Sequence, residues 1–446
     1  MVEGMGTTKM AEAKKRPKAR ASRQSPEILA GGSLTVENSE KRSTFSTSDQ
    51  LVAVALDAWE QRGYAVISAR AIALSAGQPI SSIYYHFGDL ERLLIASQVC
   101  ALELAEAWCT RRIEMLPDAI EPIEGMAPLM AALIQDWSIG NRRLAFAWRE
   151  CQLLAARKPD YMPVLRRWNA LWDTFWQTVC DRCAIADLAR INRFMFDGES
   201  FLHLIRSDPV VDGACLIELC QGWGDWLAGR PAKEGPWRRH ARLGAGKASQ
   251  PELALKGPVA EQIAAAAADL VTREGPASLT HRAVAAEAGL TLGGVSYHFR
   301  TSTELMQIAF EKVYRRVMGP GIEPVPATIR SRRELDDFHQ GEGRAQEPHD
   351  IEMSRVAMHE LIVAVARDDA LKGYAAQLRY LRGRTARNFL AVLFGREDGG
   401  SPLEAALLSN IVLGRDRAYI AMERDERDLD RIDGLLLATR QTARNK

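Results

Sequence analysis

The sequence predicts an all-α protein built of two tandem modules, each a three-helix head followed by a larger helical body. Three observations predict it. Apolar residues recur at i, i+3, i+4 spacing almost throughout from Thr47, and strand-like alternation is absent. The stretch Gly63 to Leu93 returns, without a gap, as Gly275 to Leu305. Each copy opens a helical block of similar length, the signature of one supersecondary unit used twice.

The elements follow in chain order. Residues 1–46 are rich in Ser, Thr, Lys, Arg and Ala and poor in bulky apolar side chains, which predicts a disordered tail. Its basic cluster (Lys14, Lys15, Arg16, Lys18, Arg20 and Arg23) reads either as a solvated tail or as an arm lying along phosphates. Residues 47–109 form the first head and 110–228 the first body. In that body Ile123 to Trp137, Arg142 to Ala156, Tyr161 to Cys183 and Leu188 to Ile205 carry the helical spacing. Residues 229–257, with Arg230-Pro231-Ala232-Lys233 and Gly244-Ala245-Gly246, read as a linker. The second head spans 258–318 and the second body 319–446, the latter interrupted by a polar stretch near Phe338 to Pro348.

Composition narrows the class. Of 446 residues 47% are hydrophobic and 26% charged, as in ordinary soluble globular proteins. The formal net charge is only +1, so nucleic-acid binding requires a local basic patch rather than an overall field. No apolar run reads as a membrane span and the first thirty residues lack a secretory core, so no membrane association and a cytoplasmic location are expected. Seven cysteines without framework spacing argue against a disulfide scaffold. Cys180 with Cys183, and Cys215 near Cys220, are too few for a zinc site and read as buried thiols; no metal and no cofactor are expected.

Local signals define the repeated unit. Ser68 and Thr280 stand just before short amphipathic segments, Ala69 to Ser75 and His281 to Glu287, where a hydroxyl N-caps a helix. Ala76-Gly77 and Ala288-Gly289 end those segments, glycine taking the left-handed conformation without strain. A second short helix follows, Ile80 to His86 and Leu292 to His298. Helix, tight glycine turn and second helix make a helix-turn-helix, whose second helix enters a DNA major groove.

The pattern Ser68-x-Arg70-x-Ile72-Ala73-x-x-Ala76-Gly77, completed by Tyr85-His86-Phe87, resembles the N-terminal domain of TetR-type transcriptional regulators. Its second copy is Thr280-x-Arg282-x-Val284-Ala285-x-x-Ala288-Gly289 with Tyr297-His298-Phe299. The bodies match by length and helix content, plus a loose match at Arg157-Lys158-Pro159-Asp160 and Arg367-Asp368-Asp369. The resemblance implies phosphate contacts by Ser68 and Thr280, and sugar-phosphate contacts by Tyr85, His86, Tyr297 and His298. It places base-edge reading on Gln78, Pro79, Ser81, Ser82 and Tyr84, and in the second copy on Leu290, Thr291, Gly293, Gly294 and Ser296. Phe87, Phe299, Ile72, Ile83, Val284 and Val295 would be core. Two departures weaken the second copy or both: Ser296 stands where a backbone-contacting Tyr is usual, and Leu90 and Ser302 replace the usual Lys of the next helix.

Family members usually pair through the last two body helices, which here implies a monomeric intrachain pseudo-dimer or a homodimer of chains. The candidate pairs are Leu188 to Ile205 with Val210 to Trp226, and Leu403 to Ile420 with Asp428 to Arg444. The bodies differ: all ten tryptophans precede residue 238. Trp137, Trp148, Trp168, Trp172 and Trp176, with Arg149, Glu150 and Gln152 as polar neighbours, read either as core or as a pocket for a hydrophobic or aromatic effector. No catalytic constellation is present, so no enzyme activity is expected. The function expected is a ligand-responsive repressor that binds double-stranded DNA. Because the two recognition helices differ, the operator would have unlike halves. The alternative is a protein–protein adaptor with one or both heads no longer binding DNA.

Overall fold

Ser46 starts the first helix for a local reason: its hydroxyl accepts from the Asp49 N–H at 3.1 Å, satisfying a donor the helix leaves free. The computed structural model describes residues 46–120, 122–247, 257–318, 333–334, 348–383, 386–394, 400–420, 422, 434–436 and 439, and from Thr44 the chain forms one compact unit. Among the described residues every regular element is helical. The fold is all-α, as the apolar periodicity predicts. The basic tail, the charged run Arg424 to Arg431, nearly all of the Asp428 to Arg444 segment and most of the polar interruption lie outside the described residues.

The first three helices are α1 (Thr47–Gln61), α2 (Ala69–Ser75) and α3 (Ser81–Phe87). A long helix, α4 (Leu90–Met115), leads into α5 (Pro122–Gln135), α6 (Arg142–Ala155), α7 (Met162–Arg182), α8 (Ala189–Leu202) and α9 (Pro209–Leu227). The segment expected to be a linker contains α10 (Pro236–Lys247). This differs from the sequence reading for a physical reason. Ala241 and Ala245 are buried there in a cluster with Cys215 of α9 and Tyr380, while the Arg238 and Trp237 amides donate to the Glu218 carboxylate at 2.8 and 3.0 Å.

Three further helices follow in the same order of long, short and short: α11 (Pro258–Glu274), α12 (His281–Glu287) and α13 (Leu292–His298). Then come α14 (Ser302–Met318), α15 (Pro348–Arg367), α16 (Ala375–Tyr380), α17 (Ala386–Phe394) and α18 (Pro402–Ala418). α4 is long and apolar enough to cross a membrane by length and composition, which the sequence reading had not anticipated. Its apolar content is used inside the fold: Leu93, Leu94, Ala101, Leu102, Ala105 and Trp108 are buried, and the helix packs on α1, α6 and α7.

The core of the first body is a tryptophan cluster. Trp137, Trp148, Trp168, Trp172 and Trp176 are all fully buried. Ring centroids lie 4.8 Å apart for Trp148 and Trp172 and 4.9 Å for Trp137 and Trp172. Trp176 joins through Phe196 at 5.4 Å. Trp108 donates its indole N–H to Asp136 at 2.7 Å, whereas the five indoles named above have no acceptor.

The most extensive helix contact joins α8 to α18, far apart in sequence. Glycines set it. A Cβ on Gly198 would stand 2.0 Å from the Asn410 carbonyl oxygen, and one on Gly414 would stand 1.9 Å from the Phe194 carbonyl oxygen. Each glycine thus meets the residue four positions before the other. Beside this crossing, Asp197 accepts from Arg149 and lies 3.9 Å from Arg417, and both arginines donate to the Gln152 side-chain oxygen. Asn410 closes the row by donating to Glu199 at 2.6 Å.

Two ion pairs join α6 and the residues after it to α15: Arg157 to Glu360 at 3.1 Å and Arg367 to Glu150 at 2.6 Å. Burial pushes the Glu360 carboxyl up to about 7 from an ordinary 4.5, against the opposing pull of Arg157. A raised folded value means that the native state takes up its proton first. The contribution of Glu360 to stability should therefore grow as pH falls from about 7 toward 4.5, and Glu360→Gln should remove that contribution, read as the difference between the two proteins. Thermal unfolding across that range, for wild type and variant, checks it.

Candidate nucleic-acid interface

The two short-helix units are built by the same local chemistry. Ser68 Oγ accepts from the Ala71 N–H at 3.2 Å, and Thr280 Oγ1 from the Ala283 N–H at 3.1 Å. Gly77 and Gly289 take φ of +65° and +64°, a left-handed turn in which any Cβ would be strained. The helices predicted at Ala69 to Ser75, His281 to Glu287 and Leu292 to His298 are found at those bounds, and the predicted Ile80 to His86 runs one residue later. Under the helices, Ile72, Ile83, Val284, Val295 and Phe299 are buried and Phe87 is half-buried. The short helices are held by packing, since alone they are too short to persist.

That packing leaves one face of each unit in solvent. In the first, Tyr85 is 84% exposed and Tyr84 55%, large aromatic areas for a surface with no partner. Ser68, Pro79, Ser81 and His86 are exposed beside them; Gln78 and Ser82 are half-buried. Gln78 donates to the Gln50 side chain at 3.0 Å, which fixes its amide at the edge of the face. Tyr85 and His86 pack edge to face at 4.9 Å, so the two rings form one ledge.

In the second unit Tyr297 is 80% exposed and packs against His298 at 5.3 Å in the same way. Thr280, Thr291 and Gly293 are exposed, while Leu290, Gly294, Ser296 and His298 are half-buried. Thr291 caps its own helix by accepting from the Gly294 N–H at 3.1 Å. His281 donates to the Phe299 carbonyl at 2.8 Å, tying the two helices of the turn. Arg70 and Arg282 are exposed at the first turn of α2 and α12, where exposed N–H groups and a positive charge suit a phosphate.

Of the sixteen residues expected to make contact, ten are exposed and six are half-buried, Leu290 packing against the core; the first unit exposes the more aromatic area. The single-turn helices behind them, Tyr64–Val66 and Pro276–Ser278, pack against each other. The residues named for an effector sit apart, in the tryptophan core. There Arg149, Glu150 and Gln152 bond to Asp197, Arg367 and Arg417 respectively. What sequence reasoning did not assign is any role for Arg157 and Arg367. Their signal was present, since both lie in the loosely matching segments that follow α6 and end α15.

Four of the thiols sit where burial disfavours the thiolate. Cys109, Cys151, Cys180 and Cys220 are buried, and burial pushes each well above the usual thiol range. Such thiols are poor nucleophiles and poor metal ligands.

Among known families, the one described as bacterial regulatory proteins, tetR family, matches residues 51–96. That range holds most of α1, all of α2 and α3, and the start of α4. No curated protein matches the chain. The match falls on the first of the two copies, and residues 51–96 are accordingly similar to the helix-turn-helix domain of that family.

Proposed function

We propose that the chain is a cytoplasmic, ligand-responsive transcriptional repressor whose two heads read unlike halves of one operator while its two bodies pair within the chain. The observation that carries this reading is the recurrence of one unit, with the same hydroxyl cap, the same left-handed glycine and the same exposed Tyr-His ledge, at Ser68 to His86 and Thr280 to His298. The reciprocal contact of Gly198 and Gly414 supports intrachain pairing. In a two-fold interface residue i meets j′ while j meets i′, and that relation holds here between α8 and α18. The two faces carry different groups, Pro79, Ser81 and Tyr84 against Thr291, Gly293 and Ser296, which favours an asymmetric site over a palindrome.

The tryptophan cluster supports the ligand-responsive part. Its five indole N–H groups find no acceptor within the protein, and an aromatic ligand carrying acceptor oxygens would supply them. Binding there would change the packing of α6, α7 and α8, and through α8 the seam to α18.

Selection from a random DNA pool with the purified chain tests the reading. An asymmetric site is expected. A clean palindrome would restrict DNA reading to one head per chain, and no enrichment at low salt would replace the regulator with an adaptor. On the selected site, Tyr84→Ala and Tyr85→Ala should each weaken binding by roughly tenfold, the loss of about one backbone contact. The salt dependence of binding should change little, because neither side chain is charged. Fluorescence anisotropy at two salt concentrations measures both.

A further inference from the structure

We propose that Arg157 and Arg367 are crossed positioning residues, each fixing the DNA-reading head that belongs to the other half of the chain. The inference rests on the two-head reading above. Arg367 ends α15, in the second half. Its Nη2 donates to the Trp59 carbonyl at 2.8 Å and its Nε to the Glu60 carbonyl at 3.0 Å, both in the last turn of α1. The same Nη2 donates to Glu150 of α6 at 2.6 Å. Arg157 follows α6, in the first half. It donates to the Val271 carbonyl at 3.3 Å and the Arg273 carbonyl at 2.9 Å, in the last turn of α11, and to both oxygens of Glu360 at 3.1 Å.

The two clamps are one device used twice. In the gapless repeat Trp59 matches Val271 and Gly63 matches Gly275, and Glu150 and Glu360 occupy like places on α6 and α15. The carbonyls gripped lie in the last turn of each helix, where backbone donors run out, although Val271 also accepts from the Gly275 N–H at 2.8 Å, and a guanidinium there also meets the negative end of the helix dipole. The glycine after each helix makes the grip fit: Gly63 and Gly275 have φ of +69° and +87°, and a Cβ would stand 2.3 Å from Arg367 and 3.2 Å from Arg157. Each arginine is mostly buried, so the contact is shielded from salt and from competing water.

The crossing has a functional consequence. A displacement of the corner after α6 is passed to the opposite head through Arg157. The neighbouring Lys158 turns the other way, donating to Glu91 of α4 at 3.0 Å and lying over the Tyr64 ring at 4.7 Å, on its own side. Residues 157–158 therefore touch both heads, and rearrangement of the tryptophan-rich first body moves the pair together.

Hydrogen–deuterium exchange on the full chain tests the crossing without DNA. Arg367→Ala should speed exchange of the Arg62 and Gly63 amides about tenfold and leave Gly275 unchanged, and Arg157→Ala should do the reverse. Where an alanine variant does not fold, Arg367→Lys and Arg157→Lys, which keep charge but lose the fork, should show the same pattern more weakly. Effects on the variant's own side, on both sides equally, or on neither would overturn the proposal. Footprinting on the selected operator gives the second reading. Arg367→Ala should fade the half-site that Tyr85→Ala fades, and Arg157→Ala the half-site that Tyr297→Ala fades. Fading on the same side as the arginine overturns the crossing. Absence of any operator would sink the regulator reading alone, while the exchange result still decides the clamps.

Discussion

Asp197→Ala should destabilise the protein by about 3–5 kcal/mol, a large part of the roughly 5–15 kcal/mol that holds a typical domain folded. Asp197 on α8 is the carboxylate nearest two fully buried guanidiniums: Arg149 donates to it directly, and Arg417 lies 3.9 Å away. Burial lowers the affinity of both arginines for their protons, and for Arg417 the neighbouring Arg149 lowers it further. Without Asp197 the two positive charges face each other across the seam, with Gln152 their shared neutral acceptor. Replacing Arg149, Asp197 and Arg417 together by apolar residues of similar volume should cost far less, because no charge is then left unpaired. Urea denaturation of the single and triple variants measures both. A loss below about 1 kcal/mol for Asp197→Ala would show that the charges reach water.

Gly414→Val should cost about 3 kcal/mol, the upper end for overpacking. The obstacle is backbone on backbone. A Cβ at this position would overlap the Phe194 carbonyl oxygen at 1.9 Å, and no rotamer change removes a carbonyl. The two helices would have to separate, which also strains the Gly198 to Asn410 contact and the Asn410 to Glu199 hydrogen bond. Gly213→Ala on α9 is the control: no atom lies within 4 Å of its Cβ, so stability should hold or rise slightly, by up to about 1 kcal/mol. Thermal unfolding of the two variants side by side separates a tight helix crossing from a general intolerance of glycine replacement.

Much of the head was legible in the sequence because its signals are local. A hydroxyl at Ser68 or Thr280, a glycine at Gly77 or Gly289 and the apolar residues between them decide a cap, a turn and a buried face within a few positions. The seam was not legible in the same way. That α8 and its partner would pair was implied by resemblance, but its geometry depends on Gly198 meeting Asn410 across the chain, which no local pattern announces. Arg157 and Arg367 were conspicuous only as parts of a loose match, since a guanidinium that caps another segment's helix leaves no periodicity behind. The helix Pro236–Lys247 was missed because Gly, Pro and Arg dominate its sequence, while its burial comes from Ala241 and Ala245 against neighbours distant in the chain. The five body tryptophans read either as core or as a pocket; in the structure Trp168 and Trp172 pack on Trp148, and Trp176 on Phe175 and Phe196.

The central claim is that one chain carries both DNA-reading heads and pairs its own bodies. The measurement that tests it most directly is the stoichiometry of the chain on its selected operator, by native mass spectrometry of the complex. One chain per asymmetric site is expected, with the free chain monomeric. Two chains on a palindromic site, with Tyr297→Ala binding as tightly as wild type, would contradict it.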